Sequence, residues 1–330
     1  MRSLYFALVL AMSSVVANGA PAMQNCKLVR IAELPIRIED NRLVADGAIN
    51  GQKVGILLDT GAGTSFIHRS SVTRLGLIPQ EVVGYRTFAI GGETSAHAVH
   101  VDKFEIGQFL RRNWRVLVAG EGAPRGDVAV YLGYDFFQSV DIEFDLAHHA
   151  ARLFQPMDCE GVSLAYWTTE PAGEAAIEPG PRLEVTIQIN GQPARALLDS
   201  GATSSIVAMD FAGRLGLTPE SSGVVAAGCS IGLGKKPVET WIAQFQTFAI
   251  GNELVRNPSI RFADVWKDVT YTETGSRVPR HVAGLPSMLL GADFLRAHRL
   301  MVAHSQRKIY FTHTGGTVFP ATPAKGCGER

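Results

Sequence analysis

Apolar and polar positions alternate along this chain in short stretches, with no long helical period. Leu183, Val185, Ile187 and Ile189 recur at every second residue, the period of a half-buried strand. Residues 43–49, then Asn50-Gly51, then residues 53–58 predict a β-hairpin, because Asn-Gly accepts the positive φ angles of a tight primed turn. The same pattern returns at residues 183–189, Asn190-Gly191 and residues 193–198. Helical signals are short, at residues 71–75 and 209–215, each with a Gly near its C-terminal end. Late in each half, Leu132-Gly133 and Leu289-Leu290-Gly291 lead into Asp-Phe and another strand-like stretch. The elements predict an all-β fold with few short helices.

These elements belong to an internal repeat. Asn50-Gly51-Gln52 through Asp59-Thr60-Gly61-Ala62 recurs as Asn190-Gly191-Gln192 through Asp199-Ser200-Gly201-Ala202, an offset of 140 (59 to 199). Arg74-Leu75-Gly76-Leu77 matches Arg214-Leu215-Gly216-Leu217 at the same offset, and Pro79 matches Pro219. The offset then grows to 144 between Gly107 and Gly251, and to 158 between Leu132-Gly133 and Leu290-Gly291, which marks insertions in the second half. The chain is a duplicated domain, with one half over residues 27–156 and the other over 181–314. Residues 157–180, rich in Pro, Gly, Glu and Ala, read as a linker, and 315–330 read as a tail of the same character. The expected architecture is two similar closed, mostly antiparallel β-barrel lobes related by a pseudo-twofold axis.

Composition adds compartment and partners. The 330 residues are 46% hydrophobic, enough to bury a substantial core. Thirty-one basic residues balance thirty-one acidic ones, which speaks against a nucleic-acid or membrane-surface partner. Residues 1–22 read as a signal peptide: Arg2, an apolar run over 4–10, then small residues suited to cleavage. Residues 4–16 are too few to remain as a membrane span. Export to an oxidising periplasmic or extracellular compartment is expected, and the mature chain should work as a two-lobed monomer. Four cysteines, Cys26, Cys159, Cys229 and Cys327, then favour disulfides. Three pairings are open, of which the one within each half, Cys26 with Cys159 and Cys229 with Cys327, is favoured. No Cys-x-x-Cys spacing occurs, and His148-His149 lacks a third ligand at suitable spacing, so no metal site is expected.

The repeated motif carries the chemistry. Asp59 follows the apolar run Ile56-Leu57-Leu58, and Asp199 follows Ala196-Leu197-Leu198. A carboxylate at the end of a buried strand is costly unless it is hydrogen-bonded or paired. Gly61 and Gly201 let the backbone turn and bring N–H groups close to it. Symmetric packing of the halves would make the two carboxyls neighbours, and such a pair shares one proton. The charged carboxylate can take a proton from a bound water while the protonated one donates to a substrate carbonyl, with no metal, cofactor or covalent intermediate. Thr60 and Ser200 would buttress the loops by hydrogen bonds across the axis. Asp135 and Asp293, after the second glycines, read as a buried ion pair or cap. No Gly-x-Ser-x-Gly elbow is present for a serine hydrolase.

Two hydrophobic residues before Asp-Thr/Ser-Gly-Ala, paired with a later hydrophobic-hydrophobic-Gly, resemble the retropepsin-like aspartic peptidases. Ala62 and Ala202 match the retroviral type more than the pepsin type. The chain thus resembles a retropepsin dimer fused into one polypeptide, similar to bacterial exported aspartyl proteases, over most of both halves. The resemblance implies an acid-protease fold, catalysis by Asp59 and Asp199, a peptide or protein substrate, and a hairpin flap over the cleft. Flap candidates are Gly91 and Gly92 within residues 88–94, and Gly232 and Gly234 within residues 229–234. The alternative is a catalytically weak binding or scaffolding protein on the same fold.

Overall fold

A computed structural model describes residues 25–82, 87–94, 97–121, 126–271, 278, 280–325 and 327. The segment read as a signal peptide lies outside them. Both predicted hairpins form, Arg42–Ile49 with Gln52–Leu58 and Glu184–Ile189 with Gln192–Leu198. Their turns have the required geometry: Asn50 and Asn190 both sit at φ 50°, and Gly51 and Gly191 follow at 82° and 74°. The short helices are Arg69–Arg74 and Met209–Arg214, joined by two more at Tyr134–Phe137 and Ala292–Ala297.

In the first lobe six strands close on themselves. Arg42–Ile49, Gln52–Leu58, Val128–Leu132, Phe66–His68, Phe109–Ala119 and His97–Ile106 pair in that order, and the last returns to the first. Most pairings are antiparallel, but the motif strand Gln52–Leu58 lies parallel to Val128–Leu132. The second lobe runs the same strand order, with Gln192–Leu198 parallel to Met288–Leu290, but among the described residues no pairing closes its sheet, so the expected second closed barrel is an open one. There the long hairpin is broken into Val238–Gln244 with Ser259–Ala263 and Thr247–Ile250 with Glu253–Arg256. Asn113 and Asn257 hold the same left-handed kink, φ 51° and 49°, but Pro258 follows the second and has no N–H to continue the ladder. Phe104, Phe137, Phe144, Phe248, Phe262 and Phe294 fill the core that runs through both lobes.

The lobes are joined by one sheet. Asp141–Asp145 of the first lobe pairs antiparallel with His298–Ala303 of the second, Ile142 opposite Val302. Lys27–Glu39 and Ala150–Met157 extend this sheet on one side, and Lys308–His313 on the other. The segment read as an aperiodic linker contributes a further strand, Gly173–Ala176, against Lys308–His313. Four residues are too few to show a period, so the pairing decides this strand. The residues read as a tail also pack: Val318 and Phe319 are buried, and Ala324 bridges to Ala227. Disulfides join Cys26 to Cys159 and Cys229 to Cys327, the within-half pairing.

Candidate active site

Each motif strand ends where it meets the lobe's last strand: Asp59 N–H donates to the Leu132 carbonyl and Asp199 N–H to Leu290, both at 2.9 Å. The loops that follow meet at the axis. The Thr60 hydroxyl donates to the Leu198 carbonyl at 2.6 Å and accepts from the Ser200 N–H at 3.0 Å. The Ser200 hydroxyl donates to the Leu58 carbonyl at 2.7 Å and accepts from the Thr60 N–H at 3.0 Å. Each lobe's hydroxyl thus satisfies two backbone groups of the other, and both side chains are buried.

This lock brings the Asp59 and Asp199 carboxyls together, each against the glycine of the other loop and close enough to perturb one another. A Cβ at Gly61 would overlap the Asp199 carboxyl, and one at Gly201 the Asp59 carboxyl, so only glycine permits the approach. Backbone N–H groups hold the pair: Ala62 donates to Asp59 Oδ1, and Gly201 and Ala202 donate to Asp199 Oδ1, all at 3.0 Å. Burial raises the pKa of both. The Asp199 charge pushes Asp59 further, well above its ordinary 3.8. For Asp199 the N–H bonds and the Asp59 carboxyl act against burial, leaving a smaller rise. Two adjacent carboxyls in unequal environments hold one proton between them over a wide pH range.

Asp135 and Asp293 form caps, with no ion-pair partner at hydrogen-bond distance among the described residues. Asp135 accepts from the Ser65 N–H at 2.7 Å and its hydroxyl at 2.6 Å, and Ser65 Oγ accepts from the Gly133 N–H at 2.9 Å. Ser205, Asp293 and Gly291 repeat this. Ser65 and Ser205 are recognisable in the sequence as the ends of hydroxyl-rich turns six residues after each Asp, but their bonds to Asp135 and Asp293 depend on distant pairing. His148 bonds Asp145 at 2.7 Å in a turn, as a polar turn residue would. Among the described residues, no group of three His, Cys, Asp or Glu side chains could hold a metal ion.

A cleft of about 430 Å³ opens over the aspartates. Its walls are largely apolar, including Phe66, Phe88, Ile90, Leu117, Leu197 and Trp266. Ile90 and Gly91 form the turn of the hairpin Thr87–Ala89 with Gly92–Thr94, and Gly91 and the strand's first residue, Gly92, stand at φ 88° and 107°. Gly232 and Gly234 lie in the loop between Val225–Ser230 and Val238–Gln244. The two tips meet: Gly234 N–H donates to the Ile90 carbonyl at 3.0 Å, and Lys236 N–H to Gly91 at 3.2 Å. A side chain at Gly91, Gly232 or Gly234 would strike the opposite tip's backbone. Cys229, at the base of the second tip, is tied to Cys327.

Two similar β lobes, a pair of Asp-hydroxyl-Gly loops locked at their axis, and a covered apolar cleft define a two-lobed retropepsin-like architecture. The family model described as aspartyl protease matches residues 45–136 and again residues 185–294, starting and ending on equivalent residues of the repeat. The chain belongs to the aspartyl protease family. No curated protein matches it.

Proposed function

We propose that this protein is an aspartic endopeptidase that hydrolyses peptide bonds with a water activated between Asp59 and Asp199. The observation that carries the reading is the pairing of these two carboxyls at the axis between the lobes, on the floor of the cleft. Asp59, the more strongly raised, holds the shared proton and donates it to the substrate carbonyl. Asp199 takes a proton from the water as it attacks, giving a tetrahedral gem-diol; Asp199 then passes that proton to the leaving nitrogen as the C–N bond breaks, and a gem-diol hydroxyl returns its proton to Asp59. Thr60 and Ser200 keep the two carboxyls coplanar. The glycine-tipped hairpins act as flaps that close over an extended peptide and exclude water. The chain works as a monomer, both aspartates being supplied by one polypeptide, with a peptide or protein substrate and no nucleic-acid partner. The two disulfides support export through the segment 1–22.

The test is a digest of an unstructured protein and a peptide library at acid and neutral pH, comparing wild type with Asp59→Asn and Asp199→Asn. Cleavage by wild type that is lost in both variants and blocked by a statine-type inhibitor is expected. Cleavage that survives either substitution refutes the dyad.

A further inference from the structure

The duplicated lobes differ most in the connection before the last strand of each. Corresponding landmarks run at an offset of 144 up to Ala119 and Ala263, and at 158 from Leu132 and Leu290, so the second lobe carries fourteen additional residues here. These fall within residues 264–287, and the described residues 264–271 and 280–287 border the cleft. Thr270–Tyr271 pairs with Arg280–His281, and the Trp266 indole donates to the Pro286 carbonyl at 2.9 Å. The segment presents Trp266, Val269, Val282, Leu285 and Pro286 to the cleft, beside Leu197 and Leu289.

A buried acid sets this wall. Glu184, 5% exposed, accepts from Arg182 Nε on one oxygen at 2.6 Å and from Arg195 Nη1 on the other at 2.9 Å. The second prong of each arginine donates to the Gly284 carbonyl, at 2.7 and 3.1 Å. Gly284 is left-handed, φ 69°, and Leu285 and Pro286 follow it directly. The first lobe does not repeat this cluster. Val44 stands where Glu184 does and Gly55 where Arg195 does. Tyr131, the counterpart of Leu289, stacks on Phe66 at 4.5 Å. The counterparts Arg42, Gly126 and Tyr131 line a separate hollow with Glu39 and Asp40.

Resting on the peptidase reading of the cleft, we propose that substrate selection is one-sided. The second-lobe wall takes one bulky apolar side chain of the peptide; the first-lobe walls, Phe66, Phe88, Ile90 and Leu117, are apolar but lack the anchored segment and discriminate less. Glu184 is the positioning residue, acting through Arg182 and Arg195 on the backbone at Gly284. A carboxylate with both oxygens on guanidinium groups fixes their planes, which an uncharged amide cannot do. The pocket discriminates by apolar burial, and a bulky side chain exchanged for a methyl loses affinity accordingly.

The test uses binding, so that it separates from turnover. Reduced-bond peptides carrying Phe or Ala on either side of the scissile position are titrated into full-length protein, wild type and Asp59→Asn, by calorimetry. On one side, Phe to Ala should weaken binding about tenfold to a hundredfold, and on the other less than about threefold. Glu184→Gln, and independently Leu285→Ala, should bring the sensitive side below about threefold with the insensitive side unchanged, and Glu184→Asp should restore part of it. Equal sensitivity on both sides, or a one-sided ratio untouched in the folded variants, overturns the proposal; so does failure of every peptide to bind. If the one-sided ratio holds while wild type fails to cleave, the wall stands and the catalytic reading falls.

Discussion

Replacing Thr60 by alanine tests the lock at the axis. The Thr60 hydroxyl serves a buried N–H and a buried carbonyl of the other lobe, Ser200 at 3.0 Å and Leu198 at 2.6 Å. Its removal strands both, and a buried polar group without a partner costs about 1–3 kcal/mol, so the pair gives about 2–6 kcal/mol. The lost methyl adds about 1 kcal/mol, which Thr60→Ser isolates because it keeps the oxygen. Urea unfolding should therefore place Thr60→Ser within about 1 kcal/mol of wild type and Thr60→Ala at least about 2 kcal/mol below the serine variant. Ser200→Ala should cost similarly by the reciprocal bonds. The double alanine variant should cost less than the sum, because once one loop parts from the axis the second hydroxyl has already lost its partners. Equal stability of Thr60→Ala and Thr60→Ser would refute the reasoning, since it would mean that the lock contributes nothing.

Further expectations follow from buried charge. The Asp59 pKa is raised on folding by burial and by Asp199, so its contribution to stability is fully present below the unfolded value and is lost as pH rises through the folded one. Asp59→Asn should accordingly raise the melting temperature near neutral pH, with the gain disappearing in strong acid; calorimetric scans across pH decide it, and a constant gap would contradict it. His304, where the first lobe has Leu146, is pushed down to about 4 by burial alone. A depressed histidine pKa makes the folded state resist protonation, so stability present above about 6.5 is lost as pH falls toward 4, and His304→Leu should stabilise most at the acid end, by about 1–3 kcal/mol. Glu143 is fully buried between the lobes and accepts from Arg299 at 2.5 Å, Tyr166 at 2.7 Å and Arg152 at 3.2 Å. Glu143→Leu leaves two arginines without this partner and should cost about 3–5 kcal/mol in urea unfolding, which a near-neutral result would exclude.

The sequence carried the features that local physics decides. Asn-Gly turns, period-two alternation and the repeat located both hairpins and aligned Asp59 with Asp199, and symmetry then implied the bonds of Thr60 and Ser200. Features decided by distant pairing left no such trace. Gly173–Ala176 has too few residues for a period, and its partner strand lies beyond residue 300. The sheet joining the lobes pairs Ile142 with Val302, and neither strand advertises the other. The cleft's second-lobe wall was present only as a growing offset between landmarks. That offset announces extra residues without saying that they border the cleft. Pro258 was visible as a residue, but its breaking of a barrel strand follows from what the neighbouring strand needs.

The strand Asp141–Asp145 alternates Asp141, Glu143 and Asp145 with core-facing Ile142 and Phe144. In the finished protein the acids are engaged by Ser305, Arg299, and Arg152 with His148. During synthesis the first lobe is complete before His298–Ala303 exists, and this strand is then a bare sheet edge, the kind of surface on which identical chains add to one another. Asp145 is already met within the first lobe by Arg152 and His148, while Asp141 and Glu143, two positions apart, repel a like edge until Ser305 and Arg299 arrive. The same residues that cement the two lobes thus serve as a guard against premature self-association. Neutralising the strand by Asp141→Asn, Glu143→Gln and Asp145→Asn together would be expected to trade a soluble nascent lobe for an aggregating one.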